Sequence, residues 1–253
     1  MPRWLHHFGP KIYQFYEHFY ALLMKFFSRL SYRRIVQQMD LLGLRCPSKS
    51  ALQYTARRLD TRFWQNVLQE TCGYPRLVAL DATGLSKTNP SYHYLRRIDG
   101  KMPETPIKLN TAFDVETNKF CSARVRMRPR HDIIDAKKLL RPFRPEAVLA
   151  DKGYCSDDLF RFIDRMRSRV LIPLKKNMKL KLFRRRIQKM FDEKLYHKRS
   201  RVESAFSAIK RKYGHSVSSR RAQTIRSEVY GRLVCHNLFN WIFEVLGQSR
   251  SAG

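Results

Sequence analysis

Apolar residues recur at helical spacing through the first quarter of the chain. Residues 11–30 place aromatic and aliphatic side chains about one helical turn apart, with polar residues between them, which predicts an amphipathic helix. Residues 31–60 predict two shorter helices around a turn at Gly43, a residue suited to the left-handed conformation that ends a helix. Ser31 and Ser48 stand where these two helices begin and are expected to cap them.

The two short helices allow two interpretations. Helices joined by a turn form the helix-turn-helix DNA reader, in which Lys49, Arg57 and Arg58 would face phosphates. The same pattern is typical of a helical hairpin that only packs on the rest of the protein. We therefore assign residues 1–70 to a helical N-terminal region that is a possible helix-turn-helix DNA-binding module.

Beyond Pro75, short apolar runs alternate with helical patterns. Runs that predict strands cover residues 77–80, 92–98, 107–115, 120–127, 147–150 and 170–173. Helical patterns cover residues 131–140 and 156–166, and a last apolar helix face covers 233–245. This order predicts an α/β domain over residues 75–246, built on a mixed sheet flanked by helices.

Residues 175–189 hold eight basic side chains and no acidic one. Such a run is usually a solvated face or a loop. Because it leads directly into the motif described below, we expect it to contact a polyanion. The residues that we expect to make this contact are Lys175, Lys176, Arg184 and Arg185.

The charge balance indicates the class of partner. The chain has 253 residues, with 51 Lys or Arg against 21 Asp or Glu, a formal net charge of +30. A domain with this excess repels itself unless a polyanion is near, which favours nucleic acid over an anionic membrane surface. The five cysteines include no Cys-x-x-Cys pair, which argues against a disulfide framework and fits a reducing cytoplasm. Charged residues interrupt the aromatic N-terminus, so we expect neither a signal peptide nor a membrane span.

One stretch near the C-terminus combines a polar and an apolar stripe. Tyr196, Arg199, Glu203 and Lys210 lie at offsets of 0, 3, 7 and 14, which return to one side of a single helix. A separate apolar stripe for the core is formed by Val202, Phe206 and Ile209. A carboxylate among three groups that bind phosphate is what a metal-dependent enzyme acting on DNA needs.

Two aspartates follow matching apolar runs, Asp81 after residues 77–80 and Asp151 after residues 147–150. Acids at adjacent strand ends repel unless a cation lies between them, and oxygen ligands suit Mg²⁺ or Mn²⁺. Two such ions about 3.5–4 Å apart assist phosphoryl transfer. Taken singly, each aspartate could instead end a strand or cap a helix. The matching runs, together with Glu203 in a strongly basic chain, favour the metal site.

These residues resemble the DDE transposases of prokaryotic insertion sequences, which have a ribonuclease-H-like, retroviral-integrase-like core. The resemblance covers residues 75–240 and is carried by Asp81 in Leu-Asp-Ala-Thr-Gly and Asp151 in Ala-Asp-Lys-Gly-Tyr. It is also carried by the spacing Tyr-x₂-Arg-x₃-Glu-x₆-Lys that starts at Tyr196, the tyrosine–arginine–glutamate–lysine signature of this group. The pair His131-Asp132 also resembles a recurrent feature of these proteins.

The resemblance implies a transposase that binds its element's terminal inverted repeats and catalyses metal-dependent DNA cleavage and strand transfer. Asp81, Asp151 and Glu203 would be catalytic and would ligate two Mg²⁺ or Mn²⁺ ions. Phosphates and the DNA terminus would be held by Tyr196, Arg199 and Lys210. Assembly on two ends of double-stranded DNA implies a homodimer on DNA, in the cytoplasm with the nucleoid.

Two alternatives remain open. The same core could belong to a ribonuclease-H-like nuclease with another role, although the signature around Glu203 argues against it. The chain could also be a catalytically inactive DNA-binding derivative, although all three acids are present.

Overall fold

The computed structural model describes residues 3–4, 11–87, 107–128, 130–175 and 182–251, with side chains as far as residue 246. The predicted strand over residues 92–98 and the predicted contact residue Lys176 lie outside these ranges. Within them, every helix is too short or too polar to cross a membrane.

Helices precede, interrupt and follow a central sheet. The helices are α1 (Phe15–Ser28), α2 (Tyr32–Leu41), α3 (Lys49–Arg58), α4 (Thr61–Cys72), α5 (Ile133–Leu140), α6 (Asp157–Arg165), α7 (Leu182–Lys189), α8 (Glu193–His197), α9 (Ser200–Tyr213) and α10 (Ala222–Ser251). The strands are β1 (Leu77–Lys87), β2 (Ile107–Asp114), β3 (Lys119–Arg126), β4 (Ala147–Ala150), β5 (Arg169–Leu171) and β6 (Ser216–Val217).

The strand order is β3-β2-β1-β4-β5, and β6 pairs with the far end of β1. The first three strands form an antiparallel meander, whereas β4 and β5 run parallel to β1. A mixed sheet of this order, with helices on both faces, is the ribonuclease-H-like architecture that the sequence predicts. The predicted fold class is therefore confirmed.

The sheet separates two apolar clusters because side chains alternate between its faces. Leu77 and Ala79 of β1 pack with residues of α1–α4, α9 and α10, whereas Val78 and Leu80 pack with residues of α5–α7. All four residues of β4 are 0% exposed, as expected for a parallel strand covered on both faces.

The N-terminal helices begin and end as the sequence predicts. The hydroxyl of Ser31 accepts the N–H of Arg34 at 3.2 Å, and that of Ser48 accepts the N–H of Ala51 at 3.3 Å. Gly43 has a φ of +67°. The helices α1, α3 and α4 contact α10, and their apolar residues share one cluster with the sheet. The assignment of residues 1–70 as a possible DNA-binding module stays a prediction.

Three helices lie where the sequence pattern does not predict one. α4 is capped by Asp60, which accepts the N–H of Phe63 at 2.7 Å, and it buries Trp64 completely. α7 lies within the basic run of residues 175–189, and α8 follows that run. The last helix is also longer than predicted, because Ile225 and Val229 are already buried in α10.

Candidate active site

Two neighbouring strands bring Asp81 and Asp151 side by side. The predicted strand over residues 77–80 was too short, because β1 continues to Lys87 and Asp81 lies within it, whereas Asp151 directly follows β4. β1 and β4 are parallel and in register, with Leu80 opposite Ala150, so the two aspartates occupy the next position on each strand. Neighbouring strands lie about 4.8 Å apart, and the charge of Asp151 acts on the carboxyl of Asp81. The proximity of these two acids therefore follows from the parallel pairing of β1 with β4.

Asp81 is partly buried, with 21% of its side chain exposed. Its carboxylate accepts the N–H of Ala82 at 2.8 Å. Burial raises the pKa of Asp81, and the negative charges of Glu203 and Asp151 raise it further, against the lowering effects of the Ala82 hydrogen bond and of Arg199. A carboxylate beside two other carboxylates is stabilised in its charged form by a nearby cation.

Asp151 is held by a tight turn of its own. Its Oδ1 accepts the N–H of Gly153 at 2.9 Å. A Cβ atom on Gly153 would lie 2.9 Å from that same oxygen, so glycine permits this close approach. The turn fixes the exposed carboxylate of Asp151 at the end of β4.

Glu203 is joined to the strand acids through Arg199. The Arg199 guanidinium donates a hydrogen bond to Oε1 of Glu203 at 2.6 Å, and its other terminal nitrogen lies 3.4 Å from Oδ2 of Asp81. Glu203 keeps 56% of its side chain exposed. One arginine therefore neutralises an acid from the sheet and an acid from α9 together.

The three carboxylates are hard oxygen donors of the kind that Mg²⁺ and Mn²⁺ prefer. In the described ranges, no group of three or more His, Cys, Asp or Glu side chains is already close enough to hold a metal ion. The donor chemistry thus fits a divalent cation, while the arrangement found here uses the guanidinium of Arg199 as the counter-charge.

The predicted single helix through the polar stripe was wrong. Tyr196 belongs to α8, and α9 begins only at Ser200. Between them, the N–H groups of Lys198 and Arg199 bond to carbonyls three residues back, at 3.1 and 2.9 Å. Such i→i−3 bonds tighten the backbone into 3₁₀ geometry. The apolar stripe is confirmed, with exposures of 0, 6 and 3% for Val202, Phe206 and Ile209.

The two outer members of the polar stripe, Tyr196 and Lys210, lie on either side of Arg199 and Glu203 along the chain. Tyr196 packs against the ring of Phe191 at 5.3 Å between centroids and contributes to the raised pKa of Arg199. Lys210 lies seven residues beyond Glu203 on α9, about 10 Å along the helix axis. Both side chains are half-buried.

Residues of the basic run fall into two environments. Lys175 and Arg185 are exposed. Arg184 is buried and forms a bidentate ion pair with Asp157, at 2.8 and 2.5 Å. This pair ties α7 to α6 and engages the guanidinium of Arg184 within the protein. The predicted contact of Arg184 with DNA stays a prediction.

Sequence reasoning did not single out Tyr154, which lies beside the acids. Its side chain is 2% exposed, and its hydroxyl has no hydrogen-bond partner within the described residues. Burial, followed by the negative charges of Asp132, Asp81 and Asp151, raises its pKa. Unpaired buried hydroxyls are rare. Its position three residues after Asp151 was the available sequence signal.

A known protein family matches the region of the chain that carries this site. The family model described as "Transposase DDE domain" matches residues 74–238, well over half of the chain. No curated protein matches the chain significantly. Among solved structures, the chain matches the Mos1 transposase paired-end complex with left transposon end at 14% identity, covering 92% of this chain and 81% of that chain, with a TM-score of 0.28. A TM-score this low does not establish a shared fold, so the fold is assigned from the strand order.

Proposed function

The chain belongs to the transposase DDE domain family, and we propose that it is the transposase of an insertion sequence. It would bind the terminal inverted repeats of its element and catalyse metal-dependent DNA cleavage and strand transfer. The main support is the arrangement of the acids. Asp81 and Asp151 occupy equivalent positions on adjacent parallel strands, and Arg199 links Glu203 to Asp81.

DDE transposase domains generally use divalent metal ions. Here Asp81, Asp151 and Glu203 would hold two Mg²⁺ or Mn²⁺ ions, which when bound supply activation of an attacking oxygen and stabilisation of a leaving one. By linking Glu203 to Asp81, Arg199 keeps the acid of α9 beside the acid of β1.

Cationic side chains around the acids would orient the DNA. Arg199 and Lys210 would hold phosphates near the transposon end, and Tyr196 would position the terminus. Contacts with the phosphate backbone of the DNA would come from Lys175, Lys176 and Arg185. The attacking groups would be water for cleavage and the freed 3′-hydroxyl for transfer, so the protein forms no covalent intermediate. Two chains would hold two ends as a homodimer on DNA.

The DNA on either side of the coding region tests the proposal. We expect matched inverted ends and a short target duplication. Purified protein with Mg²⁺ should cleave linear DNA that carries those ends and join them to a target plasmid. Cleavage of RNA–DNA hybrids without end-specific products would favour a nuclease of another role, and binding without cleavage would favour an inactive derivative.

A further inference from the structure

A basic groove, separate from the site of the three acids, lies between the N-terminal helices and the start of α10. It has a volume of about 690 Å³, and its walls come from the end of α1, the start of α2, one face of α3, residues 218–221 and the start of α10. Seven of its fourteen lining residues are Lys or Arg, and none is acidic. Six of the cations are exposed: Arg29, Arg33, Lys49, Arg57, Arg220 and Arg221. We call this surface the α3 groove.

The cations of the α3 groove lack carboxylate partners among the residues that the structure describes. Across the described ranges, none of the seven has a carboxylate within ion-pair distance. Exposed arginines elsewhere do pair with acids, as Arg76 does with Glu146 and Arg186 with Asp164. Like charges gathered in one concavity repel, so the groove suits a polyanion.

Two buried polar groups line the same groove. Lys25 is the seventh cation and is 5% exposed, with its ammonium 4.6 Å from the ring centroid of Tyr32. No hydrogen bond or ion pair of that ammonium occurs in the described part of the chain. The hydroxyl of Tyr32 is also buried without a hydrogen-bond partner there. Buried polar groups are nearly always hydrogen-bonded, so the unpartnered hydroxyl of Tyr32 beside the Lys25 ammonium indicates a ligand that supplies acceptor oxygens.

One face of α3 is turned toward the groove. Lys49, Gln53 and Arg57 are spaced four residues apart, which places them in one stripe. The opposite side enters the core through Leu52, Thr55 and Ala56, each 0% exposed. α2 and α10 begin at the groove and α1 ends there, so two positive helix-dipole ends face one negative end and add to the charge of the side chains.

The opposite wall is anchored by Glu228, which is 3% exposed. Its carboxylate accepts the N–H groups of Ser218 and Ser219 at 3.0 and 2.8 Å, and Arg232 donates to it at 2.6 Å. These bonds fix the segment that carries Arg220 and Arg221. The groove is therefore built against the core of the protein.

Strand pairing connects the α3 groove to the acids. Ser216 and Val217 pair with Ser86 and Lys87, at the far end of the strand that carries Asp81. Ser86 follows Asp81 by five residues, or about 17 Å of extended chain. That distance corresponds to roughly five base pairs of duplex DNA.

We infer that the α3 groove binds the phosphate backbone of the DNA duplex that flanks the cleavage site, through Lys and Arg contacts that do not read bases. The inference rests on the proposed function for the identity of the DNA. The groove itself is separate from Asp81, Asp151 and Glu203.

Salt-dependent DNA binding tests the inference. Fluorescence anisotropy would be measured with the full chain in EDTA and a labelled duplex of about 30 base pairs, roughly 100 Å long. The groove variant is Arg33→Ala/Arg57→Ala/Arg220→Ala. The matched control is Arg141→Ala/Arg161→Ala/Arg165→Ala, which removes three exposed arginines of the α5–α6 layer.

We expect the groove variant to lose at least about tenfold in affinity at moderate salt. Its plot of log K against log salt should be shallower by about 0.9 for each lost contact, up to about 2.7, while the control keeps the slope of the unmodified protein. The Arg→Lys version of the groove variant should keep most of the slope, because it keeps the charge. If thermal unfolding finds the alanine variant unfolded, the same three positions are changed to Gln.

Equal slopes for the groove variant and the control would overturn the inference. Binding of inorganic triphosphate would be measured for the same variants. If the groove variant lost triphosphate binding but kept DNA binding, the inference would also be overturned, since the groove would then serve a small phosphorylated molecule. Because these measurements use EDTA, they are independent of cleavage. Failure of the proposed function would appear elsewhere, as the absence of metal-dependent products from the unmodified protein.

Discussion

The guanidinium of Arg199 lies 3.4 Å from the carboxylate of Asp81, a residue 118 positions earlier in the chain. Its other end donates a 2.6 Å hydrogen bond to Glu203. A single side chain thus joins the acid on α9 to the acid on the central strand. By charge, it takes the role that a divalent cation would have between the same two groups.

Replacing Arg199 with alanine should make stability more dependent on divalent cations. In Arg199→Ala, the carboxylates of Asp81 and Glu203 repel without a counter-charge, so the Tm in EDTA should fall. Mn²⁺ should raise the Tm by more than it does in the unmodified protein, because a ligand of the folded state stabilises it. Thermal unfolding with and without Mn²⁺ measures both effects.

Arg211→Ala is the control for that experiment, since it removes an exposed arginine from the same helix. It should leave the Mn²⁺-induced change in Tm unaltered. If Mn²⁺ stabilises Arg199→Ala no more than the unmodified protein, the acids beside Arg199 are not a cation site.

Lys25 should separate stability from DNA binding. Burial lowers the pKa of Lys25 despite the opposing charge of Glu228, so the fold disfavours its charged form. Lys25→Met should therefore raise the Tm, while it weakens binding of duplex DNA in the α3 groove. The exposed residue Lys189 supplies the stability control, since Lys189→Met should leave the Tm nearly unchanged. A lower Tm together with unchanged DNA binding would show that Lys25 serves the fold alone.

Asp135 should be a major contributor to stability near neutral pH. It is 1% exposed and accepts hydrogen bonds from Arg126 at 2.5 and 2.6 Å and from Asn110 at 2.7 Å. Asp135→Ala leaves both donors without their partner and should lower the unfolding free energy by about 3–5 kcal/mol. Asp164→Ala breaks an exposed pair with Arg186 and should cost under about 1 kcal/mol. Similar losses in urea unfolding for the two variants would contradict this assignment.

The contribution of Asp135 should also depend on pH. Burial raises its pKa, but the hydrogen bonds from Arg126 and Asn110, together with the positive charges of Arg126 and Arg124, leave the pKa lowered. Its stabilisation is therefore fully present above the unfolded value of about 3.9 and is lost as pH falls through the lower folded pKa. The stability difference between Asp135→Ala and the unmodified protein should shrink across that acid range.

Gly231 should tolerate no side chain, although it lies inside a helix. A Cβ atom there would lie 2.1 Å from Cδ2 of Phe26 on α1. Gly→Ala normally favours a helix by about 1 kcal/mol, but overpacking should reverse the sign and cost about 1–3 kcal/mol. Gly84→Ala meets no atom within 4 Å and provides the comparison in the same unfolding assay. Unchanged or increased stability of Gly231→Ala would mean that α1 does not pack closely on α10.

Local rules predicted the parts of this protein that depend on neighbours in sequence. Ser31 and Ser48 cap their helices, and the apolar runs before Asp81 and Asp151 become adjacent strands. The break before α9 was not predictable from spacing, because the offset of three between Tyr196 and Arg199 suits a 3₁₀ turn and an α-helix alike. The pairing of Arg184 with Asp157 depends on how two helices pack, which no run of basic residues encodes.

The α3 groove illustrates the same limit. Lys49 and Arg57 are recognisable in sequence as groups that could face phosphates. Their meeting with Arg220 and Arg221 depends on the docking of α3 against α10. The sequence thus indicates the partner class through net charge, and the tertiary packing indicates where that partner binds.

The central claim is that Asp81, Asp151 and Glu203 act together as one metal-binding unit. Its most direct test is the rate of Mg²⁺-dependent cleavage of end-carrying DNA by Asp81→Asn, Asp151→Asn and Glu203→Gln, each confirmed as folded by thermal unfolding. Metal assistance is worth several kcal/mol, so each variant should be slower by at least about a thousandfold. Asp158→Asn, which changes an acid that is 77% exposed on α6, should keep the unmodified rate. Cleavage at that rate by any of the three folded variants would contradict the claim.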